Sequence, residues 1–497
     1  MNESELKEII KECKKKMEHD GLKTQDQQFP QLCWILLLKC FEDFEKNRSV
    51  TDKNYHESIP KPYRWGDWAA DENSGATGDP LVKFVDFELF PALQKLDTTI
   101  QGSESTVMVS AFSGFKNRIR DGYALRGIIN DVNKIRFDKP SVVTTFAKVF
   151  EDELKDWTKI AKDKAYFYTP RVLCEFIISI LKPSYKKEEL VFDPASGFSG
   201  FLIESFNFMK KDEKGKDDIR KLRFDSIKGH EKNPDFFLCG ALNYMLQAQY
   251  VPNILNSNSL ERSLKGNDIP LGGEYDVIMS NPSYNEPEAE NIQFNLPEEI
   301  LTKDSALHFL FLIMEELKDQ GRAAMILPNG PLFGTGKSAS LKQQLLENCN
   351  LHTIIRLPES IFTPRTGIAT NILFFQKGEP TKEIWYYQMK VPERIRDSSK
   401  NVKQLKFSFN KNPLEKQDFD EISAWFEDKK ATDDAWVVPI ADVIKNEYNL
   451  DISNPNDVEE TIDLSPHELI GQIIDDEKKT MSLLAEVEKL IQKEIPK

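Results

Sequence analysis

Ser280-Asn281-Pro282-Ser283-Tyr284 places a side-chain amide, a proline carbonyl and a phenol ring within four residues. That set of groups suits one difficult reaction. An exocyclic amino nitrogen on an aromatic base is a poor nucleophile, because its lone pair is spread into the ring. Two acceptors, the Asn281 side-chain oxygen and the Pro282 backbone carbonyl, can take its two N–H bonds and aim the lone pair at a methyl donor. Tyr284 can stack on the ring and hold it flat. Orientation and electrostatic placement then carry much of the rate. A methyl sulfonium is already a strong electrophile, so the chemistry calls for neither a metal nor a covalent nucleophile. The plain alternative is an Asn-Pro turn. It loses ground because the segment follows the strand-like run Tyr275–Met279 and lies downstream of a glycine loop.

That loop is Asp193-Pro-Ala-Ser-Gly-Phe-Ser-Gly-Phe201, directly after the apolar run Leu190–Phe192. Gly197 and Gly200 let a ligand approach the backbone where a side chain would block it. The helix that follows offers free N–H groups and the positive end of its dipole. Asp193 at the strand tip suits a ligand ammonium. The spacing is not G-x-G-x-x-G, which argues against a dinucleotide. D-P-x-x-G-x-x-G after a strand fits the S-adenosylmethionine loop of class I methyltransferases. One strand further on, Glu231 in Lys228-Gly-His-Glu-Lys232 stands where ribose hydroxyls are held. Tyr166-Phe167-Tyr168-Thr169-Pro170-Arg171 precedes the first of these strands. Thr169 reads as a helix N-cap with Pro170 at the first helical position, and the segment as either a helix start or a lid over the cofactor. Cytosine-C5 methylation needs a cysteine nucleophile, usually after a proline, and none of the six cysteines follows one. Cytosine-N4 enzymes usually carry Ser where this chain has Asn281, so adenine-N6 is favoured. Gly334-Thr-Gly-Lys337-Ser338 misses a phosphate loop, because its first glycine falls on Pro331.

These residues need a scaffold, and the sequence supplies one. Strand-like runs at Leu190–Phe192, Phe224–Lys228, Tyr275–Met279, Ala323–Leu327, Thr353–Leu357 and Asn371–Phe375 alternate with helical segments at Arg171–Leu181, Phe201–Met209, Pro234–Gln249, Asp304–Lys318 and Lys337–Asn348. That alternation predicts a doubly wound α/β sheet with ligands beyond the strand C-termini. Residues 1–157 read as a mostly helical N-terminal domain, with helices at Phe29–Phe44, Phe84–Leu96, Gly122–Asn133 and Val142–Trp157 and loops around Pro60–Trp68 and Asn73–Pro80. Residues 158–450 then hold the catalytic domain, and 451–497 a C-terminal helical tail. Ser465-Pro-His-Glu468 reads as a capping box opening that tail helix. Leu469, Ile473, Leu484, Val487 and Ile491 recur near heptad spacing, which suits docking onto a partner helix.

The chain has 497 residues and a formal charge of −15. The tail from 451 carries 12 acidic against 5 basic residues. Bulk charge therefore does not drive nucleic-acid binding, and any such contact needs a local patch or a second chain. The cysteines at 13, 33, 40, 174, 239 and 349 form no CxxC and no metal spacing with the histidines, so no metal site is expected. No apolar run reaches the ~18 residues of a membrane span, and the charged first twenty residues lack a secretory core; a cytoplasmic protein is expected.

Taken together, these motifs resemble the modification subunit of Type I restriction–modification systems, an adenine-N6 DNA methyltransferase. Gly321-Arg-Ala-Ala-Met-Ile-Leu-Pro-Asn-Gly330, Ile355-Arg-Leu-Pro358, Thr366–Phe375 and Tyr448-Asn-Leu-Asp-Ile452 look like further signatures of that family, so the likeness covers nearly the whole chain. The resemblance implies a class I, Rossmann-like S-adenosylmethionine-dependent methyltransferase domain behind a helical N-terminal domain. Tyr166–Arg171 would line the cofactor. Ala195, Ser196 and Gly197 would wrap its amino-acid part, and Glu231 would take its ribose. Asn281, Pro282 and Tyr284 would receive an adenine, which in double-stranded DNA must first be flipped out of the stack. It also implies two modification subunits with one specificity subunit that reads the DNA, and leaves room for a restriction subunit. The chain departs from the pattern at Phe198 and Ser199 in the glycine loop, at Ser283 in place of a second proline, and at Asn258 where an Asp is usual. A protein-glutamine methyltransferase and a fold-retaining scaffold subunit are the alternatives.

Overall fold

β-Branched and aromatic runs bounded by turn residues build nine strands in one sheet, seen in a computed structural model of the chain. It describes residues 1–51, 55–71, 75–99, 104–160, 168–212, 219, 221–261, 273–284, 288–289, 292, 297–298, 302–359, 361–362, 368–392, 407, 412–457, 470–471, 474, 477–478 and 480–484. The strands are β1 (Val191–Asp193), β2 (Ile227–Glu231), β3 (Ile254–Asn256), β4 (Tyr275–Ser280), β5 (Leu317–Pro328), β6 (Cys349–Leu357), β7 (Thr370–Lys377), β8 (Glu383–Gln388) and β9 (Ala435–Pro439). Their order is β3-β2-β1-β4-β5-β7-β6-β8-β9. β3 to β5 run parallel, β7 runs against both its neighbours β5 and β6, and β9 closes the sheet antiparallel to β8. The chain winds outward from β1 to β3, then returns to β4 on the other side of β1. That reversal opens a crevice beyond the C-terminal ends of β1 and β4.

The helices that matter for the site are α1 (Glu3–His19), α2 (Gln25–Thr51), α3 (Gly122–Asn133), α4 (Pro140–Ile160), α5 (Arg171–Leu181), α6 (Gly200–Met209), α7 (Pro234–Ala248) and α8 (Ser305–Glu316). α7 is apolar along most of its length and is buried almost throughout. It packs on α6 on the sheet side and on α2 and α4 of the N-terminal helical layer. One continuous apolar core therefore joins that layer to one face of the sheet, through residues such as Trp34, Phe150, Phe237, Met245, Val277 and Ile326. α8 and the opposite sheet face form a second core with Phe192, Ile278, Leu310 and Met325.

Several expected elements differ. The second strand is Ile227–Glu231 rather than Phe224–Lys228, because Leu222–Ser226 forms a wide helical turn. That turn buries Arg223 in an ion pair with Glu104 at 3.1 Å. The loops expected around Pro60–Trp68 and Asn73–Pro80 contain short helices at Trp65–Trp68 and Gly78–Phe84. α1 was not singled out, although Asn2 and Glu5 form a capping box and Leu6, Ile10, Cys13 and Met17 make one buried stripe. β3, β8 and β9 were also missed: β3 has only three residues, too few for periodicity, and β8 and β9 lie at a half-covered edge.

The chain separates into two compact units, Met1–Ile452 and Ser453–Lys497. In the second, the capping box at Ser465–Glu468 and the positions Leu469, Ile473, Val487 and Ile491 lie outside the described residues. Leu484 is described and is exposed, as are Ile470, Ile474 and Met481 in the same helical stretch. No helix among the described residues is long and apolar enough to cross a membrane.

Candidate functional site

The crevice at the sheet reversal is built from three short segments. The first is the turn after β1. Asp193 is 1% exposed, and its Oδ1 accepts the Ala195 N–H at 3.1 Å. The Ser196 N–H donates to the His230 carbonyl of β2, which ties the loop to the neighbouring strand. Gly197 has φ +50°, and a Cβ placed there would meet nothing within 4 Å, so the glycine faces open space in a left-handed conformation. Ser199 also takes positive φ, at +65°, a strained state for a residue with a side chain. α6 then starts at Gly200.

The second segment is Tyr168–Arg171. Tyr168 donates its hydroxyl to Glu151 at 2.8 Å, and Arg171 pairs with Glu204. The helix starts at Arg171 with Pro170 as its cap and no side-chain capping bond. The expected Thr169 cap is therefore absent. The Thr169 hydroxyl instead accepts from Nδ2 of Asn281 at 3.0 Å. The third segment is the end of β4, where Ser280 leads into Asn281.

Tyr168, Thr169, Arg171, Asp193, Ala195, Ser196, Gly197, Gly200 and Asn281 line one cleft of about 490 Å³. Of the expected cofactor residues, Tyr166 and Phe167 lie outside the described residues, and Pro170 is buried without lining that cleft. Glu231 is the last residue of β2. Its carboxylate accepts the N–H of Gly197 at 2.9 Å and of Asn233 at 2.8 Å, so it shapes the glycine loop as well as facing the adjoining clefts. Asn258 lies in the wall of one of these, beside Glu231 and Lys232. Pro282 is buried. Tyr284 is 1% exposed and packs in the second core, so stacking on its ring requires its cover to move.

The cleft has unspent polarity. Oγ of Ser196, Oγ of Ser199, Oδ1 of Asn243, Nη1 of Arg171 and Oδ1 of Asn281 are buried without hydrogen-bond partners. Buried polar atoms left unpaired are costly and mark places where a polar ligand is received. Burial, with the charge of Glu231 adding to it, pushes the Asp193 carboxyl up to about 8. Burial also raises Glu231, against the N–H bonds it accepts. Two buried acids at adjacent strand ends favour a cationic ligand.

Sequence reasoning missed three supports. Asn243 on α7 donates to the Phe198 carbonyl at 2.8 Å; a lone amide in an apolar helix was its signal. Gly240 lets α7 approach the loop, since a Cβ there would come within 2.4 Å of the Gly197 carbonyl oxygen. Phe198, a departure from the family pattern, packs against Trp157 and Phe236, with ring centroids 5.7 and 5.1 Å apart. The helical layer thus braces the glycine loop through Phe198.

A doubly wound sheet with this strand order, a glycine loop after β1 and an Asn-Pro-x-Tyr turn after β4 define a class I S-adenosylmethionine-dependent methyltransferase. The N-6 DNA Methylase family matches residues 142–463. The chain is 37% identical over 477 residues to the Type I restriction enzyme EcoEI methylase subunit of Escherichia coli, covering 94% of each. It superposes on a solved modification subunit assigned to a type I restriction enzyme of Vibrio vulnificus YJ016 with a TM-score of 0.79 and 34% identity, over 92% of this chain and 98% of that one. A chain solved in a study of complex assembly and conformational transition of the type I R-M system matches with a TM-score of 0.75 and 30% identity, over 100% of both. The chain belongs to the N-6 adenine DNA methyltransferases, among the methylase subunits of Type I restriction enzymes.

Two outcomes are expected from this geometry. Phe198→Ala should cost about 3 kcal/mol of stability, as large-to-small changes at buried aromatics do, and should weaken ligand binding at the loop; thermal unfolding and calorimetric titration measure both. Asp193 gives a pH-dependent result. An unfolded aspartate titrates near about 4, while the folded one titrates at about 8. Between those values the folded chain keeps a proton that the unfolded chain has lost, so this group's contribution to stability falls as pH rises from about 4 to about 8. Asp193→Asn removes that titration. Its gain in melting temperature over wild type, without ligand, should grow as pH rises from 6 to ~8 and then level off; scanning calorimetry showing a pH-independent difference would contradict it.

Proposed function

We propose that this chain transfers a methyl group from S-adenosylmethionine to the N6 amino group of an adenine flipped out of double-stranded DNA. It acts as the catalytic modification subunit of a cytoplasmic Type I restriction–modification complex. The observation that carries the reading is the unpartnered, buried Oδ1 of Asn281 at the end of β4, in one cleft with the glycine loop. That oxygen is the acceptor an adenine amino group needs. The Pro282 carbonyl is the second acceptor, and Tyr284 the stacking ring once its cover opens. Residues 158–450 form the methyltransferase domain, behind the helical domain 1–157 and ahead of the tail 451–497.

The cofactor fits the residues present. Asp193 and Glu231 are buried acids that favour a cation, and S-adenosylmethionine carries a sulfonium and an ammonium. Asp193, Ala195, Ser196, Gly197 and Gly200 hold its amino-acid part, Glu231 its ribose, and Tyr166–Arg171 its outer side. The space in front of Gly197 and the unpaired polar atoms of Ser196, Ser199 and Arg171 support this assignment. The cofactor supplies an electrophilic methyl group. The chain's part is to hold the amino nitrogen by two acceptors so that its lone pair leaves the ring, and to exclude water.

A separate specificity subunit reads the DNA, a second modification subunit completes the methylating assembly, and a restriction subunit joins where one exists. The net charge of −15 supports leaving DNA reading to another chain. The exposed Ile470, Ile474, Met481 and Leu484, spaced by four, seven and three residues, support the tail as a docking helix.

Two tests follow. Asn281→Ala should lower the methyl-transfer rate by ~10², about 3 kcal/mol, with cofactor binding retained; a wild-type rate would remove the assignment. The purified chain should bind S-adenosylmethionine yet methylate a specific duplex site only with its partner present. Leu484→Asp should weaken that partnership, read by co-sedimentation, without changing cofactor binding. Full site-specific methylation by the single chain would contradict the division of labour.

A further inference from the structure

Resting on the acceptor role given to Asn281, we propose that Thr169 is a positioning residue that fixes which end of the Asn281 amide faces the substrate. The two ends of a carboxamide have nearly the same shape and opposite hydrogen-bonding sense. With the oxygen forward, Asn281 accepts an N–H of the amino group. Turned by half a rotation, it presents its own N–H groups to that amino group and loses the acceptor. Nothing in the residue itself selects between these states.

Thr169 does. Its Oγ1 lies 3.0 Å from Nδ2 of Asn281, across 112 residues of sequence, and accepts that N–H. The Asn281 oxygen is left buried and unpartnered, in the same cleft as the glycine loop. The threonine is not occupied elsewhere in the manner the sequence leads one to expect, since α5 begins at Arg171 with no side-chain cap. Its position is set from both sides. Tyr168 is anchored on Glu151 at 2.8 Å, and Arg171 is paired with Glu204. The strap before α5 thereby acts on the acceptor at the end of β4 as well as walling the cofactor cleft.

The test is a double-mutant cycle in the complex with the specificity subunit, read by single-turnover adenine methylation and by the S-adenosylmethionine Kd. Thr169→Val keeps the shape and removes the hydroxyl. It should slow methylation by about tenfold to hundredfold, with the Kd changed by no more than about twofold, and Thr169→Ser should recover most of the rate. On an Asn281→Ala background, Thr169→Val should add almost nothing, because residues acting through one group are not additive. On an Asn281→Asp background it should also cost less, since a carboxylate has two equivalent oxygens and no wrong end. A Thr169→Val effect of the same size on both the wild-type and Asn281→Ala backgrounds, or one seen only as lost cofactor binding, overturns the assignment of Thr169 alone. A wild-type rate for Asn281→Ala overturns the underlying role of Asn281, and this inference with it.

Discussion

The pairing of β1 with β4 is the constraint on which the rest of the structure depends. Val191 lies opposite Val277 and Phe192 opposite Ile278, in parallel. That register brings the ends of two strands, 84 positions apart at Val191 and Tyr275, to the same rim of the sheet. Asp193 leaves one strand into the glycine loop, and Asn281 leaves the other into the acceptor turn. Because β2 and β3 lie on one side of β1 while β4 and β5 lie on the other, no crossover helix covers that rim. A slip of one residue would turn Asn281 to the opposite face and separate it from the loop.

The site is held under tension and braced from behind. Two buried acids, a left-handed serine and a set of unpaired polar atoms all cost stability in the free chain. They persist because the surrounding packing over-determines them. Phe198 is clamped between Trp157 and Phe236, Asn243 holds the Phe198 carbonyl, and Trp157 is itself fixed by its ring N–H to Asp26 at 2.8 Å. The N-terminal helices therefore reach the glycine loop through a chain of side chains. A loop that must open onto a ligand is kept in shape by a layer that never touches that ligand.

Much of this was legible in the sequence, for physical reasons. The glycine loop and the Asn-Pro-x-Tyr turn are local, and α5, α3 and the helix Lys337–Asn348 have apolar periodicity over three turns, so their bounds could be read directly. What was missed depends on tertiary partners. A threonine before a proline looks like a cap, and only the approach of β4 diverts its hydroxyl to Asn281. The β2 boundary shifted because Arg223 is drawn into a buried pair with Glu104, which no local pattern encodes. Phe198 looked like a departure from the family and is instead the loop's anchor. Tyr284 was read as an available platform; its burial comes from packing of the second core, to which a four-residue motif is blind.

The central claim is that the loop after β1 receives S-adenosylmethionine by close backbone approach at Gly197. The most direct measurement is a calorimetric titration of the cofactor into Gly197→Val, with cooperative thermal unfolding recorded on the same sample. The account expects a folded protein without detectable binding, since the valine side chain enters space that is open in the free chain. Wild-type affinity in that folded variant would contradict it.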